Sequence, residues 1–367
     1  TVLPAYKEFA ERGQIELSTT PFYHPILPLV CDSEIARVSR PDVPLPTRFR
    51  YPQDACLQLE RARRYMLEKF GHEPAGLWPS EGSVSDEALG IAADTGFRWA
   101  ATDNGVLART LGVLAGAAET YRPYVWRSGG RELRLLFRDQ FLSDLVGFVY
   151  SKVEAGQAAG DLLNRIRDNC RLILESGRDA LVPIILDGEN AWEYYEQNGR
   201  PFLRELYRRI SEDSGIQALT VSEALERMEP EPLGHIFPAS WIGANFDIWI
   251  GDSEDNQAWE YLLAARRTYD RVTQSPEGAA LSRENKELAL EELLIAEGSD
   301  WFWWYGPQHD SANRPEFDRL FRDHISNVYR ALGLAPPEEL ARPILRVPVR
   351  DFHVAPSGPI QPAIDGE

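Results

Sequence analysis

Apolar runs and amphipathic segments alternate along the first 230 residues. Short apolar runs predict five strands: one at about 15–20, and one each within "AGLWPSE", "FRWAATD", "ELRLLFRD" and "ALVPIILDGEN", the last being the strongest. Apolar positions at helical spacing predict helices at 54–70, 85–95, 157–176, 201–210 and 221–228. Strands that alternate with helices predict an α/β fold with a parallel sheet, either open or part of a β/α barrel.

The pattern changes after Pro230. Three long helical segments follow, at 256–272, 283–296 and 315–332, and they predict a helical bundle. From Ala335 onward the sequence is rich in proline, which is typical of a linker or an extended arm. We therefore expect a sheet domain over 1–230, a bundle over 231–334 and an arm over 335–367. The chain opens without Met, on "TVLPAYKEFAERGQ", which indicates the end of a helix that starts upstream.

Charge and cysteine content exclude some classes of partner. The net charge is −18, from 57 acidic and 39 basic residues, so the surface repels nucleic-acid backbones and anionic membranes. The three cysteines are widely spaced and predict neither a disulfide framework nor a zinc site. No apolar run approaches the length that spans a membrane. A neutral ligand fits this composition better.

Polar side chains collect at three of the predicted strand ends. Glu16 and His24 lie around a proline-rich turn, Glu81 follows Trp78, and Asp187 directly follows the strongest strand. Functional residues of α/β folds gather at such ends. Glu81 and Asp187 form the pair with the clearest chemistry, because glycosidic bond cleavage needs one carboxylate at the anomeric carbon and one acid at the leaving oxygen.

Each of these residues also has a purely structural interpretation. Asp187 is suited to cap a helix, and this is as plausible as a catalytic role when the residue is taken alone. Glu81 is more often a first-turn helix acid, His24 a hydrogen-bonded structural histidine, and Glu16 a strand residue paired with Arg or Lys.

Two aromatic clusters follow. "EGSDWFWWYGPQHDS" (297–311) holds five consecutive aromatic residues, which cannot all face one side of a helix. We expect Phe302 and Trp303 in the bundle core and other rings near a cleft, close to His309. "SWIGANFDIWIGDSEDNQAW" (240–259) either positions the bundle against the sheet or forms a wall of the substrate site, and the sequence favours neither.

The order and wording of the segments resemble glycoside hydrolase family 57, the α-glucan-active retaining enzymes, and most closely its amylopullulanase-like members. Four of the five signature segments of that family are present in order: "GQIELSTTPFYHPILPL", "GLWPSEGSVS", "ILDGENAWEYY" and "AEGSDWFWWYGPQHDS". The resemblance implies an irregular seven-stranded β/α barrel followed by a helical bundle packed on the active site. The first signature, a histidine-rich "HQP"-type segment, is absent and would lie upstream of Thr1, so the first barrel strands are not expected in this chain.

The resemblance also implies roles for individual residues. Glu81 corresponds to the catalytic nucleophile and Asp187 to the general acid/base, and the mechanism requires neither a metal nor a cofactor. The implied substrate-binding residues, which would contact an α-glucan, are His24, Glu16, Trp78, Glu189, Asn190, Trp192, Trp241, Asp247, Trp301, Trp304 and His309. "GPQHDS" departs from relatives that carry acidic residues before the histidine, which concerns the role of Gln308.

Three other functions use the same residues. A transglycosylase would use the same carboxylate pair, with a second sugar in place of water. A non-catalytic carbohydrate-binding protein would retain the cleft without turnover. Metal-dependent hydrolysis, with His24, Asp187 and His309 as ligands, is disfavoured because their spacing matches no metal motif.

Overall fold

The computed structural model describes residues 2–346, apart from the side chains of residues 189–191, 277 and 279. The proline-rich arm predicted for 335–367 therefore lies largely outside the described residues. Its described part contains a 3₁₀ turn, Glu338–Ala341, that packs on the last long helix.

The sheet has five strands. They are β1 (Gly76–Leu77), β2 (Trp99–Asp103), β3 (Tyr124–Ser128), β4 (Arg131–Arg138) and β5 (Glu231–Leu233). Their order is β1-β2-β4-β3-β5, and only the β3–β4 pair is antiparallel. The prediction of an α/β fold with a mostly parallel sheet is confirmed. The seven-stranded barrel stays a prediction, since the described residues give five strands with β1 and β5 at the edges.

Helices connect and cover the strands. Those before β5 are α1 (Val2–Glu11), α2 (Leu27–Cys31), α3 (Ala36–Ser39), α4 (Pro52–Phe70), α5 (Asp86–Asp94), α6 (Asn104–Leu111), α7 (Ala117–Thr120), α8 (Gln140–Asp144), α9 (Ala155–Glu175), α10 (Gly188–Glu193), α11 (Arg200–Glu212) and α12 (Val221–Arg227). Those after β5 are α13 (Ser253–Thr273), α14 (Arg283–Ala296), α15 (Ser299–Trp303) and α16 (Arg314–Ala331). The predicted long helices are confirmed, and α13, α14 and α16 pack on one another as the expected bundle.

The strongest predicted strand is wrong as a strand. Residues 180–186 have no regular secondary structure, and no ladder pairs them with a neighbour within the described residues. Pro183 has no N–H to donate, and its carbonyl accepts from the backbone N–H of Asp139 at 2.9 Å. The backbone N–H of Ile185 donates to Ser143 Oγ at 3.1 Å instead of to a strand. The predicted strand at 15–20 is reduced to a single bridge between Thr19 and Leu77.

The two faces of the sheet have different neighbours. One face, with Ala100 and Phe137, belongs to a large core that continues into the bundle through Trp259 and Phe302. The other face carries Trp99, Ala101 and Leu136, and both Trp78 and Ile185 pack against that cluster. Because side chains alternate along a strand, Asp103 and Arg138 at the strand ends lie on this second face. Segment 180–186 therefore covers the face on which the candidate site is found.

Candidate active site

Glu81 occupies an unusual backbone conformation directly beyond β1. It lies in a 3₁₀ turn, Ser80–Gly82, with φ 55° and ψ 29°. Left-handed backbone is uncommon outside glycine and costs on the order of 1 kcal/mol, so it persists where the surroundings enforce it. Gly82 follows with φ +57°, and an added Cβ there would lie 3.1 Å from atoms of both Trp78 and Trp241. The turn thus presents a half-buried carboxylate against two tryptophans.

Trp241 holds the Glu81 carboxylate in place. Its indole Nε1–H donates to Glu81 Oε2 at 2.9 Å, and its backbone N–H donates to the Glu81 carbonyl at 3.0 Å. Trp78 meets the Trp241 ring edge-to-face, with centroids 5.1 Å apart. Within segment 240–259, Trp241 therefore contacts Glu81, whereas Trp259 lies in the large core that the sheet and the bundle share.

A buried ion pair lies behind Trp241. Arg138 ends β4 and Asp103 ends β2, and the parallel register makes them direct partners. Arg138 Nε donates to Asp103 Oδ2 at 2.6 Å, and its guanidinium carbon lies 4.4 Å from the Trp241 ring centroid. Burial raises the pKa of Asp103, against the lowering effect of its bonds from Arg138 and the Gly105 N–H. Burial also raises the pKa of Asp144, to which Arg138 Nη2 donates at 3.4 Å.

Asp187 is connected to the same cation through its own chain segment. Arg138 Nη1 donates to the carbonyl of Ile185 at 3.3 Å, two residues before Asp187. Asp187 is half-buried and stands at the N-cap position of α10. The N-cap position considered from sequence is therefore the one that Asp187 occupies.

His24 joins the N-terminal segment to the bundle. Its backbone is left-handed, with φ 58°, so it shares this uncommon conformation with Glu81. His24 Nδ1 is 2.7 Å from Ser299 Oγ, and its carbonyl accepts from the Ser299 N–H at 2.9 Å. A bridge between Pro25 and Gly298 continues this contact. The second and fifth sequence segments are thus brought together.

His309 lies against aromatic residues of its own segment. Its ring stacks on Trp303 with centroids 3.9 Å apart, and Nδ1 lies 3.1 Å from the Trp303 carbonyl. Trp303 is half-buried beside Trp249, whereas Phe302 is fully buried, as expected. Asp247 forms an ion pair with Arg40 at 3.2 Å.

Glu16, one of the predicted substrate contacts, is hydrogen-bonded to other protein groups. Glu16 accepts hydrogen bonds from Trp99 Nε1 at 3.0 Å and from the N–H and hydroxyl of Ser222 at 2.8 and 2.6 Å. Trp99 begins β2 and Asp103 ends it. Glu16 therefore lies near the opposite end of the strands from Asp103 and from Glu81, which follows β1. These bonds replace the Arg or Lys partner suggested by sequence.

Three tryptophans of the predicted set pack against protein. Trp301 donates to the Ile295 carbonyl at 2.7 Å and lies among aromatic rings of α16. Trp304 packs on Phe317, with centroids 5.5 Å apart. Trp192 packs on Tyr195 and Phe202. The predicted contacts of the Glu189 and Asn190 side chains lie outside the described residues.

Three polar residues of this region were not predicted. Asp103 and Arg138 are the last residues of their strands, in "ATDNG" and "LFRDQ", so a criterion based on strand ends identifies them as well. Ser299 carries no comparable signal, because its contact with His24 spans 275 positions. Within the described residues, no group of three or more His, Cys, Asp or Glu side chains is arranged to hold a metal ion. Nor does that part of the chain contain a helix long and apolar enough to cross a membrane.

Sequence comparison assigns the family. The profile of Glycosyl hydrolase family 57 matches residues 1–236, and the chain belongs to that family. The "Alpha-amylase 1" of Dictyoglomus thermophilum is 29% identical over 329 residues, covering 81% of this chain and 43% of the relative. The "4-alpha-glucanotransferase" of Thermococcus kodakarensis is 22% identical over 247 residues, covering 65% of this chain and 32% of the relative. The chain thus spans less than half of these two relatives.

Solved structures share the fold. A family 57 branching enzyme from Thermococcus kodakaraensis, crystallised with glucose, superposes with a TM-score of 0.69 at 16% identity. The match covers 90% of this chain and 68% of the branching enzyme. An α-amylase from Thermotoga maritima gives a TM-score of 0.65 at 16% identity. That match covers 90% of this chain and 70% of the amylase. At such identities the likeness concerns the fold alone.

Proposed function

We propose that this protein cleaves α-glucans by a retaining double displacement, with Glu81 as nucleophile and Asp187 as general acid/base. Glu81 attacks the anomeric carbon while Asp187 gives a proton to the departing glycosidic oxygen. Asp187 then takes a proton from water, which releases the sugar with its original α configuration and regenerates both carboxyl groups. Starch, glycogen and pullulan contain bonds of this kind.

The observation that carries the proposal is the environment of Glu81. A nucleophilic carboxylate must be fixed in direction and kept in its charged form. The left-handed turn fixes the backbone, and the Trp241 indole N–H donates to one oxygen. A hydrogen bond to a charged acceptor favours the ionised form of that acceptor.

The aromatic surroundings favour a sugar as the ligand. The C–H faces of a pyranose are apolar and rest on flat rings, whereas its hydroxyls need polar partners. Trp78 and Trp241 meet edge-to-face beside Glu81 and offer flat rings, and we assign the polar partners to His24, Asp247 and His309. We assign substrate contact first to Trp78, Trp241 and His24. The packed positions of Glu16, Trp301 and Trp304 favour supporting roles.

Glucan transfer is a second candidate. Among the relatives above are a protein named a 4-α-glucanotransferase and another named a branching enzyme. Transfer uses the same glycosyl-enzyme intermediate and differs only in whether water or a sugar hydroxyl accepts it. Products longer than the donor would identify transfer, and shorter products alone would identify hydrolysis.

The test follows products from maltoheptaose and pullulan by mass spectrometry and by NMR of the anomeric protons. The protein is expressed with whatever residues flank 1–367 in the natural polypeptide. Wild type should release α-configured products. Glu81→Gln and Asp187→Asn should stay folded and lose turnover by about 10³-fold or more. Glu87→Gln, at an exposed glutamate of α5, is the matched control and should retain wild-type rates.

Three results would count against the proposal. Turnover by Glu81→Gln at the wild-type rate would remove Glu81 as nucleophile. Products with β configuration would contradict retention. A folded wild-type protein that binds maltoheptaose without cleaving it would replace the enzyme by a carbohydrate-binding role.

A further inference from the structure

Arg138 uses its guanidinium in four directions at once. Nε donates to Asp103 at 2.6 Å, Nη2 donates to Asp144 at 3.4 Å, and Nη1 donates to the Ile185 carbonyl at 3.3 Å. The guanidinium carbon lies 4.4 Å from the centroid of the Trp241 ring. Arg138 itself is 6% exposed and Asp103 is 2% exposed. A cation this deeply buried keeps its charge only where such partners compensate the lost hydration.

Two of these contacts lead to the proposed catalytic carboxylates. Through Trp241 the cation reaches Glu81, because the same indole that lies on Arg138 donates its N–H to Glu81 Oε2. Through Ile185 it holds the segment that ends in Asp187. This segment has no strand ladder among the described residues, so the bond from Arg138 replaces part of what a ladder would supply.

We propose that Arg138 is a positioning residue for both proposed catalytic carboxylates: it fixes Glu81 through the Trp241 ring and Asp187 through the Ile185 carbonyl. This inference rests on the proposed function. It assigns Arg138 no contact with the substrate. Its contribution is to set the direction of the nucleophile and the acid relative to one common point, the end of β4.

Lysine cannot make this set of contacts. Arginine presents several N–H groups in a rigid plane and offers a flat face to an aromatic ring, whereas an ammonium group is a compact point charge. In Arg138→Lys the ammonium can stay with Asp103, but it cannot also hold the Ile185 carbonyl and lie under Trp241. The variant therefore keeps the buried charge and loses the positioning.

The experiment compares Arg138→Lys with wild type on two donors, maltoheptaose and α-maltosyl fluoride. Fluoride leaves without a proton, so formation of the glycosyl-enzyme from this donor requires Glu81 and does not require Asp187 as an acid. Breakdown of the glycosyl-enzyme still uses Asp187 as base, so the quantity measured on the fluoride is kcat/KM, which covers only the steps up to fluoride release. We expect kcat on maltoheptaose to fall by about 100-fold, since small misplacements of reacting groups have effects of this size. On the fluoride we expect a smaller fall of about 10-fold, from Glu81 alone.

A double-mutant cycle separates positioning from general destabilisation. Trp241→Phe removes the indole N–H and leaves the Arg138–Asp103 pair intact. If Arg138 acts through Trp241, the two losses measured on the fluoride should not multiply. The matched control is Arg266→Lys: Arg266 is 5% exposed, is paired with Asp54 at 2.7 Å and lies 4.3 Å from the Tyr51 ring. Its kcat should be that of wild type, and adding Arg266→Lys to Trp241→Phe should cause no further loss.

The outcomes are distinguishable. Wild-type kcat on maltoheptaose in folded Arg138→Lys would overturn the inference while the proposed function stands. So would losses of Arg138→Lys and Trp241→Phe that multiply on the fluoride. If Arg138→Lys does not fold, Trp241→Phe alone decides, and wild-type kcat in that variant would overturn it. Absence of turnover by folded wild type on both donors would remove the proposed function, and this inference with it.

Discussion

Glu81 and Trp241 are joined by two hydrogen bonds although they are 160 positions apart. One runs from the Trp241 backbone to the Glu81 carbonyl, and the other from the indole to the Glu81 carboxylate. The residue that we propose as nucleophile is therefore oriented by a loop that follows the last strand of the sheet. The residues next to Glu81 form the turn in which it lies, and the distant Trp241 orients its carboxylate.

Removing the indole donor tests this relationship. Trp241→Phe keeps an aromatic ring beside Trp78 and deletes the bond to Glu81. A hydrogen bond to a charged group contributes about 1.5–3 kcal/mol, so we expect kcat on maltoheptaose to fall by about 10- to 100-fold. Initial rates over a range of substrate concentrations give kcat and KM separately.

Trp259→Phe is the matched control for that variant. Trp259 also donates its indole N–H, to the Trp249 carbonyl at 2.9 Å, but it lies in the bundle core. We expect it to lower the free energy of unfolding by about 1 kcal/mol and to leave kcat unchanged. Equal rates for Trp241→Phe and wild type would contradict the role of the indole.

Gly82 is required for space as well as for backbone conformation. In Gly82→Ala the new Cβ would lie 3.1 Å from Trp78 and from Trp241 at φ +57°. We expect a loss of about 2–3 kcal/mol in the free energy of unfolding, measured by urea denaturation, together with reduced turnover. Gly112→Ala has φ +68° and no neighbour within 4 Å, so it should lose only about 1 kcal/mol. Equal losses would show that crowding by the tryptophans has no role.

Ser299 fixes the orientation of the His24 ring. Ser299→Ala removes the hydroxyl 2.7 Å from Nδ1, and we expect kcat/KM to fall by about 5-fold because one hydrogen bond is worth about 1 kcal/mol. Ser326→Ala, at another buried serine of the bundle, should retain wild-type kcat/KM. An unchanged kcat/KM in Ser299→Ala would show that His24 does not need this partner.

Glu297 makes stability depend on pH. Complete burial raises the pKa of Glu297 well above its ordinary value, and the charge of Asp54 adds to this, while a hydrogen bond from Gln58 opposes it. The native protein therefore keeps a proton that the unfolded chain releases above about pH 4.3. Its contribution to stability is full below that pH and is lost as the pH rises towards the native pKa, by up to about 1.4 kcal/mol per pH unit.

Glu297→Gln removes this titration. Urea denaturation between pH 5 and 8 should show a smaller decline in the free energy of unfolding for the variant than for wild type. Glu284→Gln, at an exposed position of α14, should follow the wild-type curve. Parallel curves for wild type and Glu297→Gln would mean that Glu297 is ionised in the native protein.

The sequence predicts the helices well and the strands less well. Long helices carry many periodic positions and clear caps, such as Ser85, whose hydroxyl accepts from the Ala88 N–H. Segment 180–186 has the composition of a buried strand, but Pro183 cannot donate to a neighbouring strand and its presence argues against a central strand. The β3–β4 hairpin was missed although Gly129 and Gly130, with φ 57° and 79°, are a typical signal of a two-residue turn.

The candidate site could be predicted in part. Glu81, Asp187 and His24 follow from strand ends and signature segments, and the structure shows bonds from distant segments to Glu81 and His24. The network itself could not be predicted, because the bonds from Trp241 to Glu81 and from Ser299 to His24 depend on how the bundle packs on the sheet. Glu16 shows the converse: a polar residue in a signature segment whose carboxylate is occupied by Trp99 and Ser222.

The central claim is that Glu81 forms the covalent bond to the sugar. With 5-fluoro-α-glucosyl fluoride the glycosyl-enzyme breaks down slowly. The protein can therefore be digested with a protease, and the peptide masses can be measured by mass spectrometry, while the bond between enzyme and sugar persists. The account predicts an added mass of one fluoroglucosyl group on the peptide that contains Glu81, and none in Glu81→Gln. The same label on a peptide that lacks Glu81 would contradict it.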